Sequence, residues 1–324
     1  MKALPRVDLA QLPTPVQSLA RLSEKLGTPQ LWVKRDDQTG LAFGGNKTRK
    51  LELLCAAALA EGANLLITAG AIQSNHCRQT AAAAARLGLQ CTLVLVGEAP
   101  EIRSGNLLLD SLLGAEVRWT DKAQRDATLQ AVHEEAKRAG RKPFLIPYGG
   151  SNPLGAAAYA FALKELLDQG VRPDWIVFAT SSGGTQAGLL AGASLLGYEG
   201  RVLGISVDES ANDLRPRVAK LAEQVALLVG EKVIFTESDV LVNDDYLGKG
   251  YAVLGNPEKE AIHLLAQTEG LLVDPVYTGR AAAGLIDLIR QKYFKKQDQV
   301  LFWHTGGTPA LFVDTYSEYL ISSG

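Results

Sequence analysis

The sequence predicts an α/β fold with open, twisted, mostly parallel sheets and helices on both faces. Short apolar or β-branched runs alternate with alanine- and leucine-rich helical stretches along nearly all of the 324-residue chain. Runs that are separated by helices, and not by tight turns, indicate parallel strands buried on both faces. Several runs end in glycine and small polar residues, and open α/β sheets bind their ligands at that end of their strands.

The predicted elements follow one another with little interruption. "NLLITAG" (64–70) is the first clear strand, a helix starts near Asn75, and "CTLVLVG" (91–97) is the next strand. The later elements are the helix "RSGNLLLDSLLGA", the strand "EVRWT", a charged helix around 122–139, "PFLIPYGG" (143–150), a helix ending at Gly170, the strand–loop–helix run "DWIVFATSSGGTQAGLLAGASLLG", the strands "RVLGISV" and "KVIFTES", and finally "DQVLFWHTGGTPALF".

The chain shows no linker rich in Pro, Gly or Ser, no internal repeat and no low-complexity tract. A second domain would therefore be inserted into the first one, not joined to its end. Residues 52–160 contain a self-sufficient set of βα units. We expect a large domain of residues 1–51 and 161–324, and a small inserted α/β domain of residues 52–160.

Composition favours a small-molecule partner in a reducing compartment. The chain has 33 basic and 35 acidic side chains, so bulk charge suggests neither a nucleic acid nor an anionic membrane as partner. Its three cysteines are too few for a disulfide framework, and their spacing matches no zinc pattern, so we expect buried thiols and no metal. No apolar stretch reaches the roughly 20 residues of a membrane helix, and we expect a cytoplasmic protein.

A lysine in "FGGNKTRK" (43–50) first suggests a nucleotide-binding P-loop. That motif requires the lysine directly after its last glycine. Here Gly40 and Gly45 have the right separation, but Asn46 follows and Lys47 comes one place late. Four consecutive charged residues precede the loop, where a P-loop would have a buried strand. Lys47 therefore needs another explanation.

Four loops combine glycine with small polar residues after predicted strands: "TAGAIQSNH" (68–76), "ATSSGGTQAG" (179–188), "VDPVYTG" (273–279) and "WHTGGTPALF" (303–312). In the first loop, Ser74 and Asn75 either bind a ligand or simply cap a helix. In the second loop, Ser181–Thr185 are all glycine or hydroxyl residues at a helix start, where free N–H groups and the helix dipole suit a phosphate dianion.

A lysine combined with a distant phosphate loop is what pyridoxal 5'-phosphate (PLP) requires. The lysine amine binds the cofactor covalently, the loop binds its phosphate, and the ring accepts electrons. A surface lysine at a helix start is the structural alternative for Lys47.

The chain resembles the PLP enzymes of fold type II, the tryptophan-synthase β-like group. Within it, the chain is similar to the branch of D-cysteine desulfhydrase, 1-aminocyclopropane-1-carboxylate (ACC) deaminase and L-cysteate sulfo-lyase, and most of all to D-cysteine desulfhydrase. The resemblance covers nearly the whole chain and rests on the motifs "KRDD" (34–37), "GGNKTRKLE" (44–52), "TAGAIQSNHCRQTAA" (68–82), "GGSNPLGA" (149–156), "SSGGTQAGL" (181–189), "LLVDPVYTGRAAAGL" (271–285) and "HTGGTPALF" (304–312).

The resemblance implies a role for each motif residue. Cofactor contacts would come from Lys47 and Asn46, from Asn75 at the pyridine 3′-oxygen, from Thr278 at the pyridine nitrogen, and from Ser182, Gly183, Gly184 and Thr185 at the phosphate. The substrate would meet Ser74, the N–H groups of Asn75 and His76, Tyr277 and Tyr251. The side chain of His76 either takes part or is a solvated histidine at a helix start. The family also implies a homodimer.

The implied reaction is α,β-elimination, in which the freed Lys47 removes the Cα proton and the β-substituent leaves. D-Cysteine would give pyruvate, ammonia and hydrogen sulfide. ACC deaminases carry a glutamate where this chain has Thr278, and a neutral hydroxyl favours a substrate with a good leaving group. A sulfonate would want a nearby cation, and the motif loops offer only Arg78 and Arg280. L-Cysteate and, less favoured, ACC stay open as substrates, as does a non-catalytic nucleotide-binding protein.

Overall fold

The computed structural model describes residues 1–27 and 30–322, which form two β-sheets. The strands of the larger sheet are β1 (Val16–Ser18), β2 (Leu31–Arg35), β7 (Trp175–Thr180), β8 (Arg201–Ser206), β9 (Leu241–Asn243) and β10 (Val300–His304). Their order is β1-β2-β10-β7-β8-β9, and every pairing is parallel apart from β1 with β2.

The smaller sheet is wholly parallel, in the order β5-β4-β3-β6. Its strands are β3 (Leu65–Ala71), β4 (Gln90–Val96), β5 (Glu116–Thr120) and β6 (Pro143–Leu145). The helices are α1 (Ala20–Leu26), α2 (Asn46–Ala60), α3 (Asn75–Arg86), α4 (Gly105–Leu112), α5 (Arg125–Arg138), α6 (Pro153–Asp168), α7 (Gly184–Leu196), α8 (Ala211–Val229), α9 (Asn256–Glu269), α10 (Thr278–Arg290) and α11 (Asp314–Ile321).

Helices cover both faces of the larger sheet, and the alternation along β7 shows why. Ile176 and Phe178 point into a core formed with α6, α7 and α8. Trp175 and Val177 point the other way, into a core formed with α9 and α10. Successive side chains of a strand face opposite sides, so a strand buried on both faces must be apolar throughout. The predicted α/β class with mostly parallel sheets is confirmed. No helix of the described residues is long and apolar enough to cross a membrane.

The three cysteines belong to the core of the smaller sheet. Cys55 on α2, Cys77 on α3 and Cys91 on β4 are free thiols, and each is at most 5% exposed. Burial raises the pKa of Cys55 to about 12, and it raises the pKa values of Cys77 and Cys91 as well. These thiols act as small hydrophobic side chains.

The four strands of the smaller sheet all lie within the predicted insert of residues 52–160. The predicted boundary at 160 falls inside α6, however, and α6 packs on α7 and α8 in the core of the larger sheet. The domain bounds stay a prediction, and the packing of α6 favours an end of the insert near residue 152.

One predicted strand is wrong. "KVIFTES" has three consecutive apolar residues, but residues 231–236 form no strand. Val233 and Phe235 pack against the core of the larger sheet, whereas Ile234 is 71% exposed. The edge of the larger sheet is formed instead by β9, which pairs with β8 a few residues later. An apolar run becomes a strand only where a neighbouring strand is free to pair with it, and sequence alone does not reveal which segment takes the edge of the sheet.

Candidate active site

A cleft of about 640 Å³, including its open mouth, brings together loops of both sheets. Residues predicted for the site form much of its wall: Asn46, Lys47, Ser74, Asn75, His76, Ser182, Gly183, Thr185 and Tyr277. Three other predicted residues, Gly184, Tyr251 and Thr278, do not line the cleft but adjoin residues that do. The cleft is therefore formed by segments that are more than 200 residues apart in the chain.

Lys47 is the second residue of α2, and this helix starts directly after two positions, 44 and 45, that only glycine fits. Gly44 and Gly45 have φ values of 60° and 126°, and a Cβ on Gly44 would lie 2.1 Å from the carbonyl oxygen of Asp37. Burial lowers the pKa of Lys47 from 10.5 to about 8, although the carboxylate of Asp208 acts in the opposite direction. This amine is therefore a better nucleophile and base near neutral pH than an exposed lysine would be.

The start of α2 is fixed from behind by a buried carboxylate, which explains the "KRDD" motif. Asp36 accepts hydrogen bonds from Arg49 on α2 (2.8 and 3.0 Å), Tyr159 on α6 (2.6 Å), Trp303 on β10 (2.8 Å) and Thr14 (2.9 Å). Burial alone would raise the pKa of Asp36, but the Arg49 guanidinium holds that pKa below its usual value. Lys47 therefore lies on a helix that is held by an ionised, fully hydrogen-bonded group.

The start of α7 has the features of an anion site. Gly183 precedes the helix with φ of 82° and no side chain caps the first turn, so its backbone N–H groups point outward without helical partners. Ser182 Oγ lies 2.7 Å from Ser151 Oγ. Thr185 Oγ1 accepts a hydrogen bond from Asn46 Nδ2 at 3.1 Å, which leaves the threonine proton free to be donated to a ligand.

Sequence reasoning missed Lys50, whose buried amine lies at this point. Its Nζ lies 3.2 Å from the carbonyl oxygen of Gly149 and 3.3 Å from Ser151 Oγ, and a Cβ on Gly184 would lie 2.8 Å from it. Burial and the neighbouring charge of Lys47 hold the pKa of Lys50 well below its usual value. A bound dianion would restore the charge of this amine. The sequence feature that could have identified Lys50 is its spacing of three residues from Lys47, because that spacing places both lysines on one side of α2.

The start of α3 offers a second set of donors. Ser74 caps the helix, because its Oγ accepts a hydrogen bond from the N–H of Cys77 at 3.2 Å. The capping alternative is thus realised, but the hydroxyl still has its proton to donate. Asn75 Oδ1 accepts from Asn106 Nδ2 at 3.0 Å, which holds the Asn75 side chain in place at the cleft.

The hypothesis of a solvated His76 is wrong, since this side chain is only 4% exposed. The Thr68 hydroxyl donates its one hydrogen bond to the carbonyl oxygen of Ile146 (2.9 Å), so it must accept a hydrogen bond from His76 Nε2–H (2.9 Å). Nδ1 of His76 is then an unprotonated acceptor, and it has no partner among the described residues. Burial, together with the charges of Lys47 and Lys50, lowers the pKa of His76 far below its usual value. The neutral ring can accept a hydrogen bond from a ligand at Nδ1, and this atom does not suit a carboxylate.

Two tyrosines form a pair of phenols at the cleft. The hydroxyls of Tyr251 and Tyr277 lie 2.7 Å apart, and their rings pack edge to face with centroids 5.9 Å apart. Burial raises the pKa of both phenols above their usual value. Both therefore keep their protons near neutral pH, and the pair can donate one to a ligand.

Thr278 is fully buried, and its hydroxyl is already engaged. It donates to Asp274 Oδ1 at 2.6 Å and accepts from the N–H of Asp274 at 2.8 Å. The same carboxylate also accepts from the backbone N–H groups of Val276, Tyr277 and Thr278. The "DPVYT" motif is therefore a turn that presents Tyr277 to the cleft, and the role of Thr278 at a pyridine nitrogen stays a prediction.

Comparisons with known proteins place the chain in a family. The family of pyridoxal-phosphate dependent enzymes matches residues 7–306, and the chain belongs to that family. A solved structure described as an ACC deaminase homologue is 38% identical with a TM-score of 0.89, and the match covers 98% of this chain and 96% of that one.

More distant structures share the fold alone. A PLP-dependent aspartate racemase has 19% identity and a TM-score of 0.66, with 93% of this chain and 91% of that chain covered. An O-ureido-L-serine synthase has 17% identity and a TM-score of 0.69, with 96% and 94% covered. The predicted cofactor is confirmed at the level of the family, and the chain is a PLP-dependent enzyme.

The cleft fits this cofactor. An amine with a lowered pKa, Lys47, lies in the same cleft as an uncapped helix start with a second buried amine, Lys50. Two buried polar atoms of the wall, Thr180 Oγ1 and His76 Nδ1, have no partner among the described residues. These are the donors and acceptors that an aldehyde, a phosphate dianion and an amino acid would need.

Proposed function

We propose that the protein is a PLP-dependent lyase that converts D-cysteine and water to pyruvate, ammonia and hydrogen sulfide. The supporting observation is that one cleft holds the Lys47 amine, two helix starts with free donors, and a protonated tyrosine pair. When bound, PLP supplies an electron sink for the charge that is left on Cα when its proton is removed.

Lys47 Nζ would hold the cofactor and, once displaced by the substrate amine, take the proton from Cα. Its lowered pKa lets the amine be neutral at a pH near 8, as a base must be. The start of α3, with the Ser74 hydroxyl and the N–H groups of Asn75 and His76, would bind the substrate carboxylate. The loop Ser181–Thr185 and Lys50 would hold the phosphate at the start of α7.

The tyrosine pair would handle the leaving group. As the Cβ–S bond breaks, sulfur leaves with the electron pair as hydrosulfide, and the Tyr277 hydroxyl donates a hydrogen bond to it; solvent supplies the proton that gives hydrogen sulfide. Tyr251 Oη lies 2.7 Å from Tyr277 Oη and orients that hydroxyl. The 2-aminoacrylate that is released hydrolyses to pyruvate and ammonia.

ACC deamination is a second candidate, favoured by the 38% identity to an ACC deaminase homologue. Against it stands Thr278, since a neutral residue follows Tyr277 and its proton already goes to Asp274. L-Cysteate is less favoured because the two candidate cations are engaged elsewhere. Arg280 donates to Glu258 and to the carbonyl oxygens of Val207, Gly250 and Val253. Arg78 donates to Asn106 and to Gly44.

Pyruvate release from D-cysteine, L-cysteine, β-chloro-D-alanine and L-cysteate, together with 2-oxobutyrate release from ACC, tests this proposal at matched concentrations. We expect D-cysteine to have the highest kcat/KM. If ACC is the best substrate, the argument from Thr278 fails. If L-cysteate is best, the elimination survives but the choice of leaving group is wrong.

We also propose that the enzyme works in the cytoplasm as a homodimer, as the resemblance implies. Light scattering of the purified protein should then give a mass twice the 34.6 kDa of one chain. A mass of one chain at micromolar concentration would contradict this assembly.

A further inference from the structure

Asn106 is fully buried and contacts Asn75 without itself lining the cleft. It is the second residue of α4, whereas Asn75 is the first residue of α3 and forms part of the cleft wall. Asn106 Nδ2 donates to Asn75 Oδ1 at 3.0 Å and to the carbonyl oxygen of Gln73 at 2.8 Å. Asn106 Oδ1 accepts from Arg78 Nη1 at 3.1 Å. Both polar atoms of this side chain therefore have partners.

These partners permit only one orientation of the Asn106 amide. A guanidinium can only donate hydrogen bonds, so the atom that faces Arg78 must be the oxygen. A backbone carbonyl can only accept, so the atom that faces Gln73 must be the nitrogen. The amide of Asn75 meets that nitrogen and must turn its own oxygen toward Asn106. Its NH2 group is left for the cleft, and no described residue accepts a hydrogen bond from it.

We propose that Asn106 is a positioning residue, which turns the Asn75 amide so that its NH2 group donates to the oxygen anion on the ring of bound PLP. The inference goes beyond the proposed function, because it concerns the cofactor and holds for any amino-acid substrate. An Asn75 amide turned the other way would present its own oxygen to that anion, and two acceptors that face each other weaken binding.

The packing of α3 favours the ring oxygen as the acceptor. Arg78 Nη2 donates to the carbonyl oxygen of Gly44 at 2.8 Å, and Gln79 Nε2 donates to the same atom. Gly44 comes three residues before Lys47, so the first turns of α3 pack against the loop that carries the amine. PLP has its ring oxygen next to the aldehyde that Lys47 would bind. Its phosphate has separate donors at the start of α7. The oxygen beside the aldehyde therefore suits the Asn75 amide best.

A double-mutant cycle tests whether Asn106 acts through Asn75. Asn106→Asp keeps the shape of the side chain but presents only acceptors, so Asn75 should turn its NH2 group toward the new carboxylate and its oxygen toward PLP. We expect the dissociation constant for PLP, from titration of the cofactor-free protein, to rise about tenfold. In the Asn75→Ala background the same substitution should change it less than about twofold, because no amide is left to turn. The near-visible absorption of the bound cofactor, which depends on the charge of its ring oxygen, should shift in the same pattern.

Asn106→Ser removes the amide donor without adding a charge, and it carries the test if the aspartate variant does not fold. Its smaller loss of PLP affinity should also vanish in the Asn75→Ala background. Asn64→Asp is the matched control, because Asn64 is exposed before β3 and its Oδ1 accepts from the N–H of Lys142, which an aspartate oxygen can do equally well. It should leave PLP binding unchanged.

The inference is overturned if the Asn106 variants weaken PLP binding as much in the Asn75→Ala background as in the wild type. It is also overturned if they do not weaken PLP binding at all. Failure to turn over D-cysteine would contradict only the proposed function.

Discussion

At the scale of single residues, we expect the two lysines of α2 to have different roles: one binds the cofactor covalently and the other neutralises its phosphate. Lys47 and Lys50 are both buried enough for their pKa values to fall, but only Lys50 contacts Gly149 and Ser151 beside the start of α7. We therefore expect Lys47 to bind the cofactor covalently and Lys50 to neutralise its phosphate.

Borohydride reduction should accordingly mark one lysine. The PLP-loaded protein should absorb in the near-visible region, and after reduction the labelled peptide should contain Lys47. Lys47→Ala should lose the label, whereas Lys50→Gln should keep it on Lys47 and retain the cofactor less well. Peptide mass spectrometry measures both. A label on another lysine, retained in Lys47→Ala, would refute the assignment.

Covalent attachment should also depend on pH. Only the neutral amine attacks an aldehyde, and the pKa of Lys47 is about 8 instead of 10.5. The rate at which the cofactor-free protein binds PLP covalently should therefore rise with pH and level off above about 8. Because Asp208 raises this pKa, Asp208→Asn should shift the curve to lower pH. If the wild-type rate instead reached half of its maximum near pH 10.5, the pKa of an ordinary lysine, the prediction would be contradicted.

Sequence patterns identified the residues that stand in recognisable motifs. Lys47 was predicted because two glycines and an amide precede it and because a phosphate-type loop, Ser181–Thr185, follows far along the chain. Lys50 and Asn106 were not, because their importance depends on which distant groups they face after folding. The protonation of His76 likewise depends on Thr68 and Ile146, which lie on another strand and loop.

At the scale of elements, helix starts define the site. The substitution Thr185→Val at the uncapped start of α7 removes a hydroxyl that can donate a hydrogen bond to the phosphate. The variant should therefore bind PLP much more weakly. One charge-assisted hydrogen bond is worth roughly 1.5–3 kcal/mol. Titration of the cofactor-free protein with PLP measures this loss, and circular dichroism checks the fold.

Ser194→Ala is the control for that helix, because Ser194 is exposed on α7 away from the cleft. It should leave the affinity for PLP unchanged. Equal affinity of Thr185→Val and the wild type would mean that the Ser181–Thr185 loop is only a turn.

Strand-and-helix alternation was predictable from sequence because glycine loops separate the elements clearly. The prediction failed at "KVIFTES", because β9 takes the place beside β8 at the edge of the larger sheet. The end of the insert at residue 160 stays a prediction, although α6 packs on α7 and α8. Which strand pairs at an edge, and which surface a helix packs on, depend on contacts that form only after folding.

At the scale of the whole molecule, Asp36 joins β2, α2, α6 and β10 through one buried carboxylate. Asp36→Ala removes the carboxylate that pairs with the buried Arg49 guanidinium. We therefore expect the free energy of unfolding to fall by roughly 3–5 kcal/mol. Urea denaturation of the cofactor-free protein measures it.

Asp168→Ala serves as the comparison, since Asp168 forms an exposed ion pair with Lys164 on α6 at 2.6 Å. Loss of such a surface pair should cost less than about 1 kcal/mol. Similar losses in the two variants would mean that the Asp36 network adds no stability beyond that of an ordinary surface pair.

The three buried cysteines can report how often the core of the smaller sheet opens to solvent. A thiol with a raised pKa and almost no exposed surface reacts with an aromatic disulfide reagent only after its surroundings separate. Cys55, Cys77 and Cys91 lie in one cluster on α2, α3 and β4, which adjoin the first turns that line the cleft. The rate of thiol labelling should therefore measure how often that unit opens, and a ligand that bridges the starts of α3 and α7 should slow it.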